Sequence, residues 1–157
     1  AVIGRSNGST IETYLRAVPA PSMLAVVDMG SNSFRLEVGR VEGNQIYRLD
    51  TVREPLRLGA GIDEKGNLTP AAQRDTLACL ARFGERLRGF DPANVRAVAT
   101  NTFRVARNAA QFLPKAQAAL GFPIDVIAGA AVGPGVATAL RRLPAVRRRL
   151  PQSPRAG

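Results

Sequence analysis

The chain of 157 residues contains no histidine and no tryptophan, and its only cysteine is Cys79. The lack of histidine excludes triads in which histidine acts as the base, and it excludes most zinc sites. A single cysteine cannot build a disulfide framework, so we expect a reducing, cytoplasmic environment. Aromatic residues make up only 5% of a sequence that is 45% hydrophobic, so the core is predicted to be aliphatic.

Long apolar stretches are also missing. No run approaches the about 20 apolar residues that a membrane-spanning helix needs, and no basic start with a long apolar stretch indicates a signal peptide. We therefore expect no membrane partner. The length is sufficient for one domain with its own core. Residues 1–22 have no clear period and are predicted to be a loose leader.

Positive charge is abundant but unevenly distributed. The formal net charge is +10, and residues 130–157 contain six arginines and no acidic residue, which leaves 16 basic and 12 acidic residues in 1–129. Arginine, proline and alanine dominate this basic tail, residues 130–157, so we predict that it is disordered. One interpretation is that it binds polyanions by charge alone.

The remaining sequence alternates strand and helix patterns. A helix is predicted to begin at Thr69 and Pro70, since threonine caps helices and proline is favoured at their first position. A hairpin turn is predicted at residues 43–44. The predicted strands cover residues 23–29, 33–41, 45–53, 95–99 and 124–127.

Helical spacing defines two faces on the first predicted helix. The apolar face consists of Leu77, Leu80, Leu87 and Phe90, with Phe83 at its edge. The other side carries Arg74, Arg82, Arg86 and Arg88, which we interpret as a solvated face. A second helix is predicted over residues 101–120, with Asn108 as a fresh N-cap, a kink or restart at Pro114, and Gly121 just after its end.

Residues 28–35, with the sequence Asp-Met-Gly-Ser-Asn-Ser-Phe-Arg, join the first two predicted strands by a tight turn. Gly30 can adopt positive φ or allow a ligand to approach the backbone. Ser31, Asn32 and Ser33 have short donor side chains and leave successive N–H groups open, an arrangement that binds phosphate. Asp28 is placed to hold a hydrated divalent cation. The alternative is a plain hairpin turn rich in serine and asparagine.

Two segments carry a resemblance to a known family. Residues 24–36 resemble the first phosphate loop of the exopolyphosphatase/guanosine-pentaphosphate phosphohydrolase (Ppx/GppA) family, and residues 95–108 are similar to its Ala-Thr-x-x-x-Arg-x-Ala-x-Asn segment. Weaker matches lie at residues 58–62 and 124–129, so the similarity covers about residues 23–129 in the family's order. The resemblance implies an α/β fold, the ribonuclease-H-like lobe of the actin, sugar-kinase and heat-shock-chaperone ATPase superfamily, with a mixed sheet and flanking helices.

The resemblance also implies a hydrolase that releases phosphate from polyphosphate or guanosine pentaphosphate. Residues 30–33 would then cradle the terminal phosphate, and Asp28 would hold Mg²⁺. Arg104 would contact phosphate oxygens as the catalytic cation, unless it is an ordinary arginine of a helix surface. Asn101 and Thr102 would add neutral donors at a helix start, where the helix dipole favours anions. Arg35 would be a further phosphate ligand, unless it faces solvent.

The sequence departs from the family after Gly129. The family's Glu-Glu-Ala segment, which holds the expected catalytic base, and its second phosphate loop are missing here. A frameshift in the coding DNA is the preferred explanation, and a functional polyanion-binding tail is the other. We therefore expect an incomplete, poorly active half of the enzyme. The alternatives are a non-catalytic polyanion-binding module and a degenerate fragment. Complete family members form homodimers, whereas the oligomeric state of this chain is left open.

Overall fold

The computed structural model describes residues 22–42, 45–99 and 102–127. The predicted leader (apart from residue 22), the turn at residues 43–44 and the basic tail lie outside the described residues. Within them, five strands form one mixed sheet in the order β3-β2-β1-β4-β5. The strands are β1 (Ser22–Met29), β2 (Phe34–Glu42), β3 (Gln45–Glu54), β4 (Val95–Ala99) and β5 (Ile124–Val126). The helices are α1 (Pro70–Arg86), α2 (Thr102–Val105) and α3 (Ala109–Leu120), with 3-10 turns at Leu58–Gly61 and Pro92–Asn94.

The first three strands form an antiparallel meander, and the last two run parallel to β1. Short turns suffice for the antiparallel neighbours, whereas each parallel strand is reached through a helical crossover. This order and direction are those of the ribonuclease-H-like lobe, so the predicted fold class is confirmed. In the part of the chain that the structure describes, no helix is long and apolar enough to cross a membrane.

The central strand β1 is buried on both sides of the sheet. Ala25, Val27 and Met29 belong to the main hydrophobic core, and Leu24 and Val26 on the opposite face are equally inaccessible. A strand covered on both faces reads as a continuous apolar run rather than an alternating pattern. This explains why residues 24–27 are uniformly apolar.

Helix α1 begins as the sequence predicts. The Thr69 side chain accepts a hydrogen bond from the Ala72 N–H (3.2 Å), and Pro70 is the first helical residue. The predicted apolar face is confirmed, since all five of its members are buried or packed against the core. On the opposite side, Arg86 is exposed as predicted and also pairs with Asp50 of β3 (2.7 Å).

The helix predicted over residues 101–120 is divided in two, since α2 ends at Val105 and α3 begins at Ala109, and the predicted fresh N-cap at Asn108 is confirmed. The break is fixed by contacts to a distant loop. The Leu68 N–H donates to Asn108 Oδ1 (2.8 Å), and Asn108 Nδ2 donates to the Leu68 carbonyl (3.0 Å). Asn108 is the N-cap residue but makes no side-chain capping bond, since its amide is engaged by Leu68.

The end of α3 follows the prediction. The helix continues through Pro114, so the restart lies at Asn108 and not at the proline. Gly121 has a φ of 85° and ends the helix in the left-handed conformation. Its N–H bonds the Gln117 carbonyl (2.8 Å), which satisfies one of the free carbonyl groups of the last turn. Strand β5 then starts at the predicted residue, Ile124.

Candidate functional site

The loop between β1 and β2 is a tight turn, as predicted. Met29 and Phe34 form the last cross-strand pair, and residues 30–33 connect them. The Gly30 N–H donates to the Ser33 carbonyl (3.1 Å). Gly30 does not have positive φ, so this conformation is not the reason for a glycine at this position. A Cβ atom at this position would lie 3.1 Å from the Ser33 oxygen, so close backbone approach favours glycine here.

The loop exposes backbone donors. Among the described residues, no hydrogen bond uses the N–H groups of Ser31 or Asn32. Asn32 is exposed, and Ser31 and Ser33 are half-buried. Unpaired successive N–H groups in a turn form a concavity with positive potential. These N–H groups are therefore available to an anion, and a ligand role for these residues stays a prediction.

The 3-10 turn Leu58–Gly61 packs beside this loop. The Gly59 N–H points to the Ser31 carbonyl at 3.5 Å. A Cβ atom built on Gly59 would lie 3.9 Å from Thr102 Oγ1 and 4.0 Å from the Ser31 carbonyl oxygen. Gly59 thus lies between the two segments that carry the family resemblance, and the structure brings Thr102 and the loop to one region.

Sheet topology explains this convergence. β1 and β4 are parallel neighbours, with Met29 paired to Ala99, so the segments that follow them emerge at the same edge. Thr102 is 5% exposed, so its hydroxyl lies beneath the surface. The sequence predicted that a long helix starts here and that its dipole favours anions. This prediction is wrong, because α2 has only four residues. Asn101 lies outside the described residues.

Arg104 belongs to α2, and its side chain is exposed. It forms no ion pair with any carboxylate in the described part of the chain. Its guanidinium therefore remains available for an anion, although its catalytic role stays a prediction. It lies two residues beyond Thr102, and thus follows the same sheet edge as the loop.

Asp28 lies directly opposite Arg35 in the β1–β2 register. Burial raises the pKa of Asp28, the Arg35 charge counteracts this effect in part, and the Glu37 charge adds to it. The nearby arginine thus does not offset the loss of hydration of the carboxylate. A bound cation would do so, and Mg²⁺ is often held by one carboxylate together with phosphate oxygens.

At this loop the described residues offer Asp28 alone rather than a full set of metal ligands. In residues 22–42, 45–99 and 102–127, no three acidic or cysteine side chains are close enough to hold a metal ion together. This donor set fits Mg²⁺ that is completed by water and substrate, and it does not fit a site formed by protein alone. The magnesium assignment stays a prediction.

Arg35 does not simply face solvent. Its side chain is 42% exposed, and its Nη1 atom lies 3.6 Å from Glu37 Oε1. The other oxygen of Glu37 lies 3.7 Å from Arg48 Nε. The Glu37 side chain is 6% exposed, so two arginines compensate one nearly buried carboxylate. Arg35 is therefore held in place, with part of its positive charge already compensated.

Sequence reasoning missed one residue of this region, Arg53 of β3. Its Nε donates to Ser33 Oγ (3.3 Å), so it contacts the loop directly. Arg53 is paired with Arg35 in the β2–β3 register. The hairpin prediction contained this signal, since antiparallel pairing aligns residues across the two strands, but the register had to be known.

A cleft of about 520 Å³ lies nearby, between residues 55–61 and α1. It is lined by Arg57, Thr69, Asp75 and Arg82 among others, and by none of the predicted site residues. We place the candidate site at residues 28–33 instead, because the open N–H groups, the half-buried carboxylate and the loop-bound arginine meet there.

Comparisons with known proteins agree with this fold. The model of the Ppx/GppA phosphatase family matches residues 38–134, more than half of the chain. The match includes the segment at residues 95–108 and begins after the loop at residues 28–35. An Aquifex aeolicus Ppx/GppA enzyme has 27% sequence identity and a TM-score of 0.65 over 72% of this chain and 38% of that chain. An exopolyphosphatase from Cytophaga hutchinsonii has 25% identity and a TM-score of 0.63, over 69% of this chain and 35% of that chain. The chain thus spans little more than a third of the length of these relatives.

Proposed function

Because the chain belongs to the Ppx/GppA phosphatase family, we propose that it binds the terminal phosphate of a phosphoanhydride chain. The substrate would be inorganic polyphosphate or guanosine pentaphosphate, and the reaction would be hydrolysis of the terminal anhydride bond. The likeness to an exopolyphosphatase supports this substrate class.

One observation carries the proposal: the loop with open N–H groups adjoins Asp28 and Thr102 at the edge where the parallel strands end. A terminal phosphate needs donors for several oxygen atoms, and Ser31 and Asn32 each offer an N–H that no other described residue uses. Preorganised donors of this kind stabilise charge that develops during phosphoryl transfer, at no reorganisation cost.

Each remaining residue has a separate role in this mechanism. Asp28 would hold Mg²⁺, which when bound neutralises charge on the phosphate oxygens. Arg104 would form bidentate hydrogen bonds to the phosphoryl group as it leaves the chain. Thr102 lies buried beside Gly59, so we assign it to positioning the loop and not to direct contact.

The described residues supply no evident base for the attacking water. Asp125 of β5 is two strands away from Asp28, and its carboxylate is 3.5 Å from Arg96 Nη2. We therefore propose that these 157 residues bind phosphoanhydrides but hydrolyse them slowly or not at all.

The test is phosphate release from polyphosphate by the purified chain, with and without Mg²⁺, alongside binding of pyrophosphate. We expect binding that requires Mg²⁺ and is lost in Asp28→Asn and Arg104→Ala, with little release of phosphate. Rapid release that Arg104→Ala abolishes would refute the low activity. Binding that needs no Mg²⁺ and disappears steeply with salt would instead identify a polyanion-binding module.

A further inference from the structure

Two arginines face each other beside the loop. Arg35 and Arg53 are direct partners in the β2–β3 register, so their side chains leave the sheet on the same face. Directly opposed like charges destabilise a pair of strands. Such a pair is therefore expected to have a nearby carboxylate or a ligand that compensates it.

Within the described residues, carboxylates compensate the charge of Arg35 but not that of Arg53. Arg35 shares Glu37 with Arg48, at 3.6 and 3.7 Å. Among the described residues, Arg53 forms no ion pair, and its one hydrogen bond is to the neutral Ser33 hydroxyl. Three guanidinium groups, those of Arg35, Arg48 and Arg53, therefore lie on a face that offers the two carboxylates Glu37 and Asp28.

The hydrogen bond to Ser33 fixes the position of Arg53. It uses Nε, and no other described residue occupies the remaining guanidinium donors, which lie next to the last residue of the loop. A planar guanidinium binds phosphate through two parallel hydrogen bonds. Arg53 thus lies at the end of the loop, where its donors are available to a phosphate that follows one held by residues 30–33.

We propose that Arg35 and Arg53 form a clamp for the phosphate that follows the terminal one, so that the site prefers a phosphoanhydride chain to orthophosphate. The clamp rests on the proposed function, since it requires that the loop hold the terminal phosphate. Arg53 binds the part of the chain that stays behind, and it therefore determines substrate length and not the chemical step.

A purely structural role for Arg53 predicts a different result. If Arg53 only fastened the loop through Ser33, its loss would weaken binding of every phosphate ligand by the same factor. A clamp instead contributes only when a second phosphate is present. The ratio of the affinities for tripolyphosphate and orthophosphate separates the two roles.

The experiment is calorimetric titration of the 157-residue chain with orthophosphate, pyrophosphate and tripolyphosphate, in Mg²⁺ and fixed salt. The variants are Arg53→Ala, Arg53→Lys and, as matched control, Arg74→Ala, which removes an exposed arginine of α1. We expect Arg53→Ala to weaken tripolyphosphate binding about tenfold, as for loss of a charged hydrogen bond. Orthophosphate binding should stay within about twofold of that of the unmodified chain, since Arg53 does not contact the terminal phosphate. Arg53→Lys should recover part of the loss, because it keeps the charge without the fork.

Three results would overturn the clamp, and they have different meanings. If Arg53→Ala changes tripolyphosphate binding no more than Arg74→Ala does, the clamp is wrong and the proposed function stands. Equal losses for all three ligands would show that Arg53 only fastens the loop. If the unmodified chain binds neither pyrophosphate nor tripolyphosphate, the proposed function fails and the clamp fails with it.

Discussion

Two regions of the molecule, the helix side of the sheet and the loop edge, differ in how completely their polar and charged groups are paired. On the helix side, α1 and α3 pack on an apolar core, the N-cap of α1 is occupied, and Arg86 pairs with Asp50. At the loop edge, Asp28 has a raised pKa, and within the described residues the N–H groups of Ser31 and Asn32 are unused and Arg53 has no carboxylate partner. Groups left unsatisfied in a folded protein mark the places where a ligand completes the structure. Substitutions on the helix side should therefore change stability, and those at the loop edge should change binding.

The largest effect should come from Gly84, where α1 approaches the end of α3. A Cβ atom there would lie 2.7 Å from the Leu120 carbonyl and 3.0 Å from that of Ala119. Since both contacts are backbone, Gly84→Ala should lower the free energy of unfolding by about 3 kcal/mol. Urea denaturation measures the loss.

Gly59→Ala at the loop edge is the matched control, because its Cβ would make only ordinary contacts, 3.9 Å from Thr102 Oγ1. It should change stability by less than about 0.5 kcal/mol. A loss as large as that of Gly84→Ala would show that the loop edge is packed as tightly as the helix side.

The second prediction concerns Asn108, which joins the α2–α3 break to Leu68. Asn108→Ala leaves the Leu68 N–H without its partner (2.8 Å), whereas the Leu68 carbonyl still accepts from Gln73 (2.9 Å). One unsatisfied buried donor should lower stability by about 2 kcal/mol. Asn67→Ala, which removes a neighbouring amide side chain, serves as control in the same denaturation assay. Equal stability of the two variants would contradict the account of the break.

A smaller effect on stability is expected at Asp28, and it should be a gain, whereas the substitutions at Gly84 and Asn108 should cause losses. Asp28 binds its proton more tightly in the folded protein than in the unfolded chain. The contribution of Asp28 to stability therefore falls as the pH rises above 3.8, the ordinary pKa of the carboxyl group. Asp28→Asn stays neutral and should be more stable than the unmodified chain at pH 7. The difference should shrink as the pH falls toward 3.8, as denaturation at several pH values would reveal. A variant less stable at pH 7 would mean that Asp28 supports the fold.

The smallest effect concerns Cys79 on the helix side. Burial raises the pKa of this thiol to about 12, and the Glu54 charge adds to the shift. The thiolate is therefore almost absent at neutral pH, and we expect no reaction with a thiol reagent until the protein unfolds. Rapid labelling of the native protein at pH 7 would show that α1 opens locally.

Local patterns predicted the elements on the helix side well. The capped start of α1 and its apolar face follow from residues close in sequence, and both are confirmed. The new helix start at Asn108 was also predicted locally and is confirmed, but its partner was not, because the bond between Asn108 and Leu68 spans 40 residues. Pro114, the expected position of the restart, lies inside a continuous helix.

The candidate site was predicted less completely, for a related reason. Residues 28–35 form one continuous segment, so their loop was predictable from local residues. Arg53 reaches the loop only through the pairing of β2 with β3, which contains an irregularity between Val38 and Gly39. Residue contacts set by strand register cannot be inferred from a motif that covers a single strand.

The central claim is that residues 30–33 bind phosphate, and NMR of the ¹⁵N-labelled chain tests it most directly. On titration with pyrophosphate and Mg²⁺, the backbone amide signals of Ser31 and Asn32 should shift first, followed by the side-chain signal of Arg53. In Asp28→Asn these shifts should be lost. If the signals of residues 30–33 stay unchanged and only those of the arginines in residues 130–157 move, the loop is not the phosphate site.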